Sequence, residues 1–242
     1  MFYIDKSFGL FVGKLTENKF HKHYALQISI AANSKMTLIV KNEGETSHNA
    51  FFLNSKIEHQ LLSQSNQLTI LINPLSSVGH QLHLNFENVK FQSLSNNLSN
   101  PLMAVLKRFE SNEITFEKLC ELVSRILQQY QCDCELENHL QEDRIVKAIK
   151  YMDNNFERVL SLEEVAAHCF LSPSRFLHLF KEKTNLSFRR YQLWNKVVKS
   201  LTHLKEHSIT DTAYAFGFSD SSHYTRSFKE SFGMTPKYLL QN

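Results

Sequence analysis

Ser208-Ile209-Thr210-Asp211, followed by Ala213, Ala215, Gly217 and Phe218-Ser219-Asp220, repeats a frame the chain has already used. Its first occurrence is Ser161-Leu162-Glu163-Glu164, Ala166, Ala167 and Leu171-Ser172-Pro173. The two opening serines stand 47 residues apart, and each has a carboxylate three residues on. That is a capping box or a close relative of one, and it starts a helix. The alanines fall at helical spacing, a short turn follows, and a second helix start closes the frame. Both copies end in Phe-Lys-Glu, at Phe180-Lys181-Glu182 and Phe228-Lys229-Glu230, now 48 residues apart. Two short helices, a tight turn and a basic second helix describe a helix-turn-helix. Two in tandem point to double-stranded DNA far more specifically than one.

In the first unit, Val165 and Ala166 face inward, Ser172-Pro173 starts the second helix, and Phe176, Leu179 and Phe180 hold that helix to the core. Ser174, Arg175, Leu177, His178 and Lys181 are left for the outer face. In the second unit Gly217 supplies the turn, and Phe218, Tyr224 and Phe228 pack inward. Ser221, Ser222, His223, Thr225, Arg226 and Lys229 face out. A recognition helix lays its N-terminal half against base edges, where small polar residues permit close approach and Arg pairs with guanine. Lys181 and Lys229, late in each helix, suit phosphates. Between the units, Ser187 to Glu206 contains no Gly or Pro, with Trp194, Val197 and Leu201 as its core face. A helix of roughly 18 residues there spans about 27 Å, which approaches the ~34 Å turn of B-DNA. A further helix, about Arg144 to Asn155, precedes the units and turns Ile145, Ala148, Ile149 and Met152 inward.

Leu160 to Leu239 resembles the DNA-binding domain of AraC/XylS-type transcription regulators. The resemblance is carried by Gly217-Phe218-Ser219-Asp220, Tyr224 and Phe228-Lys229-Glu230-Ser231-Phe232-Gly233-Met234-Thr235-Pro236. Phe188-Arg189-Arg190-Tyr191 is similar to the start of that family's linker helix, and Arg190 joins the DNA-binding set. The resemblance implies sequence-specific promoter binding, activation through RNA polymerase and a cytoplasmic, nucleoid-associated protein. Phe170 stands where the first turn often has Gly, Lys196 where the linker helix usually has Arg, and Ser200 where Ala is usual. Leu177 and His178 occupy slots that are often polar and basic. These departures bear on sequence preference and affinity more than on fold.

The N-terminal half reads differently. Leu26–Ile30, Met36–Val40, Phe51–Leu53, Leu68–Ile72 and Leu82–Phe86 are β-prone runs separated by Asn, Gly, Ser and Lys clusters, which suggests a small barrel or jelly roll. Ser93 to Asn100 is a connector. Leu102, Val105, Leu106 and Phe109 then line one helix face, and Phe116, Leu119, Cys120, Val123, Ile126, Leu127 and Tyr130 another. The two helices form a hairpin that packs on the barrel or adds a homodimer interface. Gln131 to Gln141 is polar and acidic and marks a boundary. The expected fold is therefore α+β. A cupin-like sensor barrel occupies residues 1–94, a helical hairpin and linker 95–141, and an all-α domain of two helix-turn-helix units joined by a long helix 142–242.

Within the β-rich half, His21, His23 and Gln27 are followed by His59. Alternation puts His21 and His23 on one strand face. The spacing is similar to the first cupin motif, with Gln27 near its usual carboxylate and His59 resembling its later His. The four residues are the expected effector-binding cluster for a small molecule. His21, His23 and His59 could instead hold a divalent metal. The glycines and proline of the second cupin motif are missing near His59, so no cofactor is expected. No nucleophile–base–orienter set is readable, so no catalytic residue is expected. A metal-dependent cupin enzyme with a DNA-binding appendage is the alternative.

Charge supports the division. Residues 1–142 carry 12 basic and 14 acidic side chains, and residues 143–242 carry 15 and 10, so positive charge gathers where the repeat lies. No stretch approaches the ~20 apolar residues of a membrane span, and residues 1–10 lack a signal-peptide pattern. Cys132-Asp133-Cys134 with His139 is too sparse for a recognisable metal site, and Cys120 and Cys169 read as small core residues.

Overall fold

The computed structural model describes residues 1–133 and 140–241; Cys134 and His139 lie outside them. By contact the chain divides into Met1–Asp133 with Phe232–Asn242, and Cys134–Ser231.

The first unit contains β1 (Phe2–Ile4), β2 (Phe8–Leu15), β3 (Leu26–Ile30), β4 (Met36–Val40), β5 (Gly44–His48), β6 (Ala50–Leu53), β7 (His59–Ile72), α1 (Ser77–Asn85), β8 (Phe91–Ser93), α2 (Asn96–Glu110) and α3 (Phe116–Gln128). Neighbouring strands run β1-β2-β7-β3-β6-β8, and β4 and β5 branch from β7. Strand β7 organises this arrangement. Its second half pairs with β3, Leu26 opposite Ile72 and Ile30 opposite Leu68, and also with β2. Its first half pairs with β4, Val40 opposite His59. All pairings are antiparallel, so each strand alternates between two faces.

Leu26, Ile28 and Ile30 of β3 and Leu68, Ile70 and Ile72 of β7 lie on one face and join a single core with Leu98, Leu102, Val105 and Leu106 of α2 and Leu119, Cys120, Val123 and Leu127 of α3. Of the two destinations expected for the hairpin faces, Leu119 and Val123 take this chain's own sheet: both are completely buried within one chain. A correction concerns Leu82–Phe86, expected as a strand. These residues fall at the end of α1, whose N-cap Ser76 accepts the Gly79 N–H at 3.0 Å and whose Val78 and Leu82 point into the core at helical spacing.

The second unit holds α4 (Asp143–Asn154), α5 (Leu162–His168), α6 (Pro173–Thr184), α7 (Phe188–Leu204), α8 (Ile209–Ala215) and α9 (Ser221–Phe232). The final helix, α10 (Pro236–Gln241), groups with the first unit, although the sequence reading carried the helical domain to residue 242. The reason is a set of hydrogen bonds: Lys19 N–H to Gly233 O at 2.8 Å, Asn18 Nδ2 to Phe232 O at 3.2 Å and Tyr238 OH to Lys14 O at 3.1 Å. Among the described residues, no helix is long and apolar enough to cross a membrane.

Leu119→Ala is expected to cost about 2–5 kcal/mol by leaving a cavity, and Leu119→Asp to abolish cooperative unfolding. Thermal melts by circular dichroism check this. A folded, soluble Leu119→Asp protein would show that the residue is not a core residue.

Candidate functional site

The two helix-turn-helix units repeat down to their hydrogen bonds. Ser161 Oγ accepts the Glu164 N–H at 3.1 Å, and Ser208 Oγ accepts the Asp211 N–H at 3.0 Å. Nine residues after each cap the chain turns left-handed, at Phe170 (φ 56°) and Gly217 (φ 66°). The next residue then bonds back into the first helix, Leu171 N–H to Ala166 O at 3.0 Å and Phe218 N–H to Ala213 O at 2.9 Å. The step from 47 to 48 residues falls inside the turn: residues 169–172 separate α5 from α6, whereas 216–220 separate α8 from α9. Ser172 caps α6, and Asp220 caps α9 by accepting the His223 N–H at 2.7 Å. That bond, with one from Ser219, holds the Asp220 carboxyl below its ordinary range. Both second helices have 12 residues and are followed by a left-handed residue, Asn185 (φ 56°) or Gly233 (φ 71°).

Two departures from the family pattern have structural roles. Lys196 is buried and its Nζ lies 3.5 Å from Gly217 O, so it satisfies a carbonyl of the second turn. Desolvation lowers its ammonium from the ordinary range. A Cβ on Gly217 would sit 2.8 Å from that flexible Nζ and 3.0 Å from Glu157 O, and the left-handed φ is what favours glycine there. Ser200 is fully buried and its Oγ lies 2.8 Å from the hydroxyl of Tyr224, a core residue of α9. Each polar substituent ties the linker helix to the second unit.

The outward residues fall in register across the 48-residue offset: Ser174 with Ser222, Arg175 with His223, Leu177 with Thr225, His178 with Arg226 and Lys181 with Lys229. All are exposed except half-buried Thr225, and half-buried Ser221 starts α9. Between them, buried Phe176 and Phe180 on α6 match Tyr224 and Phe228 on α9. Arg190 is exposed in the first turn of α7. His178 lies 3.7 Å from Glu182, and the His223 ring is held by Ser219 at 3.1 Å. Phe170 is 88% exposed, so its ring packs against little.

In the first unit the structure brings His21, His23, Gln27 and His59 together. His21 and His59 form a two-way backbone bridge at 2.9 Å, which brings their ring centroids to 4.3 Å with the planes tilted by 50°. His23 lies 5.2 Å from His59, ring to ring, and its Nε2 is 2.9 Å from Gln27 Oε1. All four residues are buried. Each imidazole Nδ1 faces a backbone carbonyl at 2.9 Å: Lys19 O for His21, Ala25 O for His23 and Ile57 O for His59. A carbonyl only accepts, so each Nδ1 carries the proton and donates it. Desolvation pushes all three histidines below their ordinary range, His21 to about 3, and the like-charged neighbours of His21 and His59 add to the shift. The rings are therefore neutral near pH 7, with Nε2 as the lone-pair side.

Sequence reasoning missed the residues that extend this cluster. Gln27 Nε2 donates to Ser29 Oγ at 2.9 Å, Ser29 Oγ lies 3.0 Å from Thr69 Oγ1, and Thr69 donates to Gln67 Oε1 at 2.6 Å. The signal was present: Gln27 and Ser29, and Gln67 and Thr69, alternate with Leu and Ile in otherwise apolar strands, so the sheet face opposite the core is polar and also buried.

Residues 165–242 match the family model described as a helix-turn-helix domain. This segment is a helix-turn-helix domain. The regulatory protein PocR of Salmonella typhimurium is 31% identical over 103 residues, which are 41% of this chain and 34% of PocR. The HTH-type transcriptional activator RhaS of Yersinia pestis is 32% identical over 102 residues, 41% of this chain and 37% of RhaS. The chain thus aligns with about a third of the length of these curated relatives. ToxT from Vibrio cholerae, at 18% identity, superposes with a TM-score of 0.59 over 97% of this chain and 98% of its own. ToxT solved with an unsaturated fatty acid bound also gives 0.59, over 97% and 95%. At that identity the likeness establishes the fold: an antiparallel-sheet domain followed by a helical domain.

Phe170→Gly is expected to stabilise the helix-turn-helix domain by about 1 kcal/mol, because a side chain strained by a left-handed backbone is removed with little packing lost. A higher midpoint in thermal unfolding of the full chain supports this. A lower midpoint would show that the exposed ring stabilises its turn.

Proposed function

We propose that the chain is a sequence-specific DNA-binding transcription regulator, an activator whose N-terminal unit receives a small effector at His21, His23, Gln27 and His59. The observation that carries the DNA-binding part is the registered outer face of α6 and α9, five paired positions ending in Lys181 and Lys229. Two helices with matching cores and caps present the same stations to a duplex, and positive charge gathers in the same half of the chain. Helix α7, 17 residues long, spans about 26 Å, which suits recognition helices entering successive major grooves. The naming of RhaS as a transcriptional activator supports activation, and the fatty acid bound to ToxT supports small-ligand control. Contacts with RNA polymerase and with a second copy of the chain rest on the family resemblance. The enzyme alternative has the histidine cluster in its favour and no further group arranged for chemistry.

Selection of duplexes from a random pool by the full chain tests this. The expected outcome is one recovered sequence, bound with an affinity that falls steeply as salt rises. Recovery of no sequence, or salt-insensitive binding, contradicts it. On the selected duplex, Arg226→Ala is expected to cost about 1–3 kcal/mol and to relax one base position, whereas Lys229→Ala weakens all sequences about equally. Competition assays with single-base variants check both. Uniform weakening by Arg226→Ala would make it a phosphate contact.

A further inference from the structure

The histidine cluster is built for an ion. The nitrogens that His21, His23 and His59 offer lie within 4.8 Å of one another, a spacing that suits one cation. Each ring is oriented by an Nδ1–H bond to a main-chain carbonyl, the outer partner that metal-binding histidines ordinarily have. Within the cluster, His59 Nε2 is buried without a hydrogen-bond partner. His23 Nε2 lies 2.9 Å from Gln27 Oε1, which puts an amide oxygen beside the three rings. A cation answers the His59 nitrogen. Four ligands at ~2.0–2.1 Å around Zn2+ lie about 3.3 Å from one another, so small side-chain rotations close the site.

A second observation connects the cluster to Gly233. Lys19 O, which accepts the His21 Nδ1–H, lies against Gly233, and a Cβ there would meet that oxygen at 2.6 Å and His21 Nδ1 at 2.5 Å. The Lys19 N–H donates to Gly233 O at 2.8 Å. Gly233 is the left-handed residue that follows α9 in the chain.

We propose that His21, His23 and His59, with Gln27 Oε1 as fourth ligand, bind one divalent transition-metal ion of the Zn2+ class, and that this ion is the effector of the regulator. Imidazole nitrogens with one amide oxygen select such an ion over Mg2+ or Ca2+. The role as effector rests on the regulator reading above, whereas the site itself does not. By fixing His21, the ion fixes Lys19 against Gly233 and so favours one arrangement of the residues that follow α9.

The full-length chain, cleared of metal with a chelator, is titrated with Zn2+ against a chromophoric competitor and separately with Co2+. One equivalent, with the visible spectrum of four-coordinate Co2+, is expected. His59→Ala loses that equivalent, and Gln27→Glu keeps it and binds more tightly, since a carboxylate replaces an amide. No stoichiometric ion on the wild-type chain, or an equivalent that survives in folded His59→Ala, overturns the site. If His59→Ala does not fold, Gln27→Glu decides: tighter Zn2+ binding supports the site and unchanged binding overturns it. In a second arm, Zn2+ changes affinity for the selected duplex by about 5-fold or more, and the change is lost with His59→Ala. Stoichiometric Zn2+ with no such change upholds the site and overturns its role as effector. A chain that selects no duplex defeats the regulator reading, and the titration still decides the site.

Discussion

Each candidate reading helix is aimed by one left-handed residue, Phe170 in the first unit and Gly217 in the second. That backbone reversal lets the following residue bond back to the first helix and sends the second helix off at a fixed angle. The cap serines, the inward aromatics and the outward basic residues acquire their meaning from it. With a different turn, the same α6 and α9 would present other faces. The second unit solves the constraint without strain, using glycine and a buried lysine that reaches the turn carbonyl. The first solves it with phenylalanine, whose exposed ring gains little in return. The two units thus share one left-handed turn, strained at Phe170 and unstrained at Gly217.

The helical half was legible because its signals are local. A cap serine, a carboxylate three residues on and alanines at helical spacing specify an element within one turn of chain. The β half was legible only where strands were apolar: β3, β4, β6 and the second half of β7. The polar first half of β7, His59 to Gln67, left no such trace, and neither did β5, Gly44–His48. Leu82–Phe86 has the composition of a strand, and the signal that makes it helical is Ser76, six residues upstream. The hairpin faces were found, but their destination was not. Whether Leu119 and Val123 meet a second chain or this chain's own sheet depends on strands distant in sequence, β7 as well as β3, which periodicity does not see.

The histidine cluster was found as four residues and missed as a network. His21 and His59 come together only because β7 brings its first residue alongside the segment before β3. Ser29, Gln67 and Thr69 are too common as residue types to signal a buried row, and only their alternation with Leu and Ile marks them. The approach of Gly233 to Lys19 joins residues more than 200 positions apart and had no local trace. Within the first unit, the cluster lies beside the backbone contact of Lys19 with Gly233.

The central claim is that one chain presents two equivalent reading helices to one duplex. Hydroxyl-radical footprinting of the full chain on its selected site tests it most directly. Two protected patches on one face of the DNA, about 10 base pairs apart, with Arg175→Ala weakening one and Arg226→Ala the other, are the result the account predicts. A single patch, unchanged by Arg175→Ala, would contradict it and leave the first unit as a scaffold for the second.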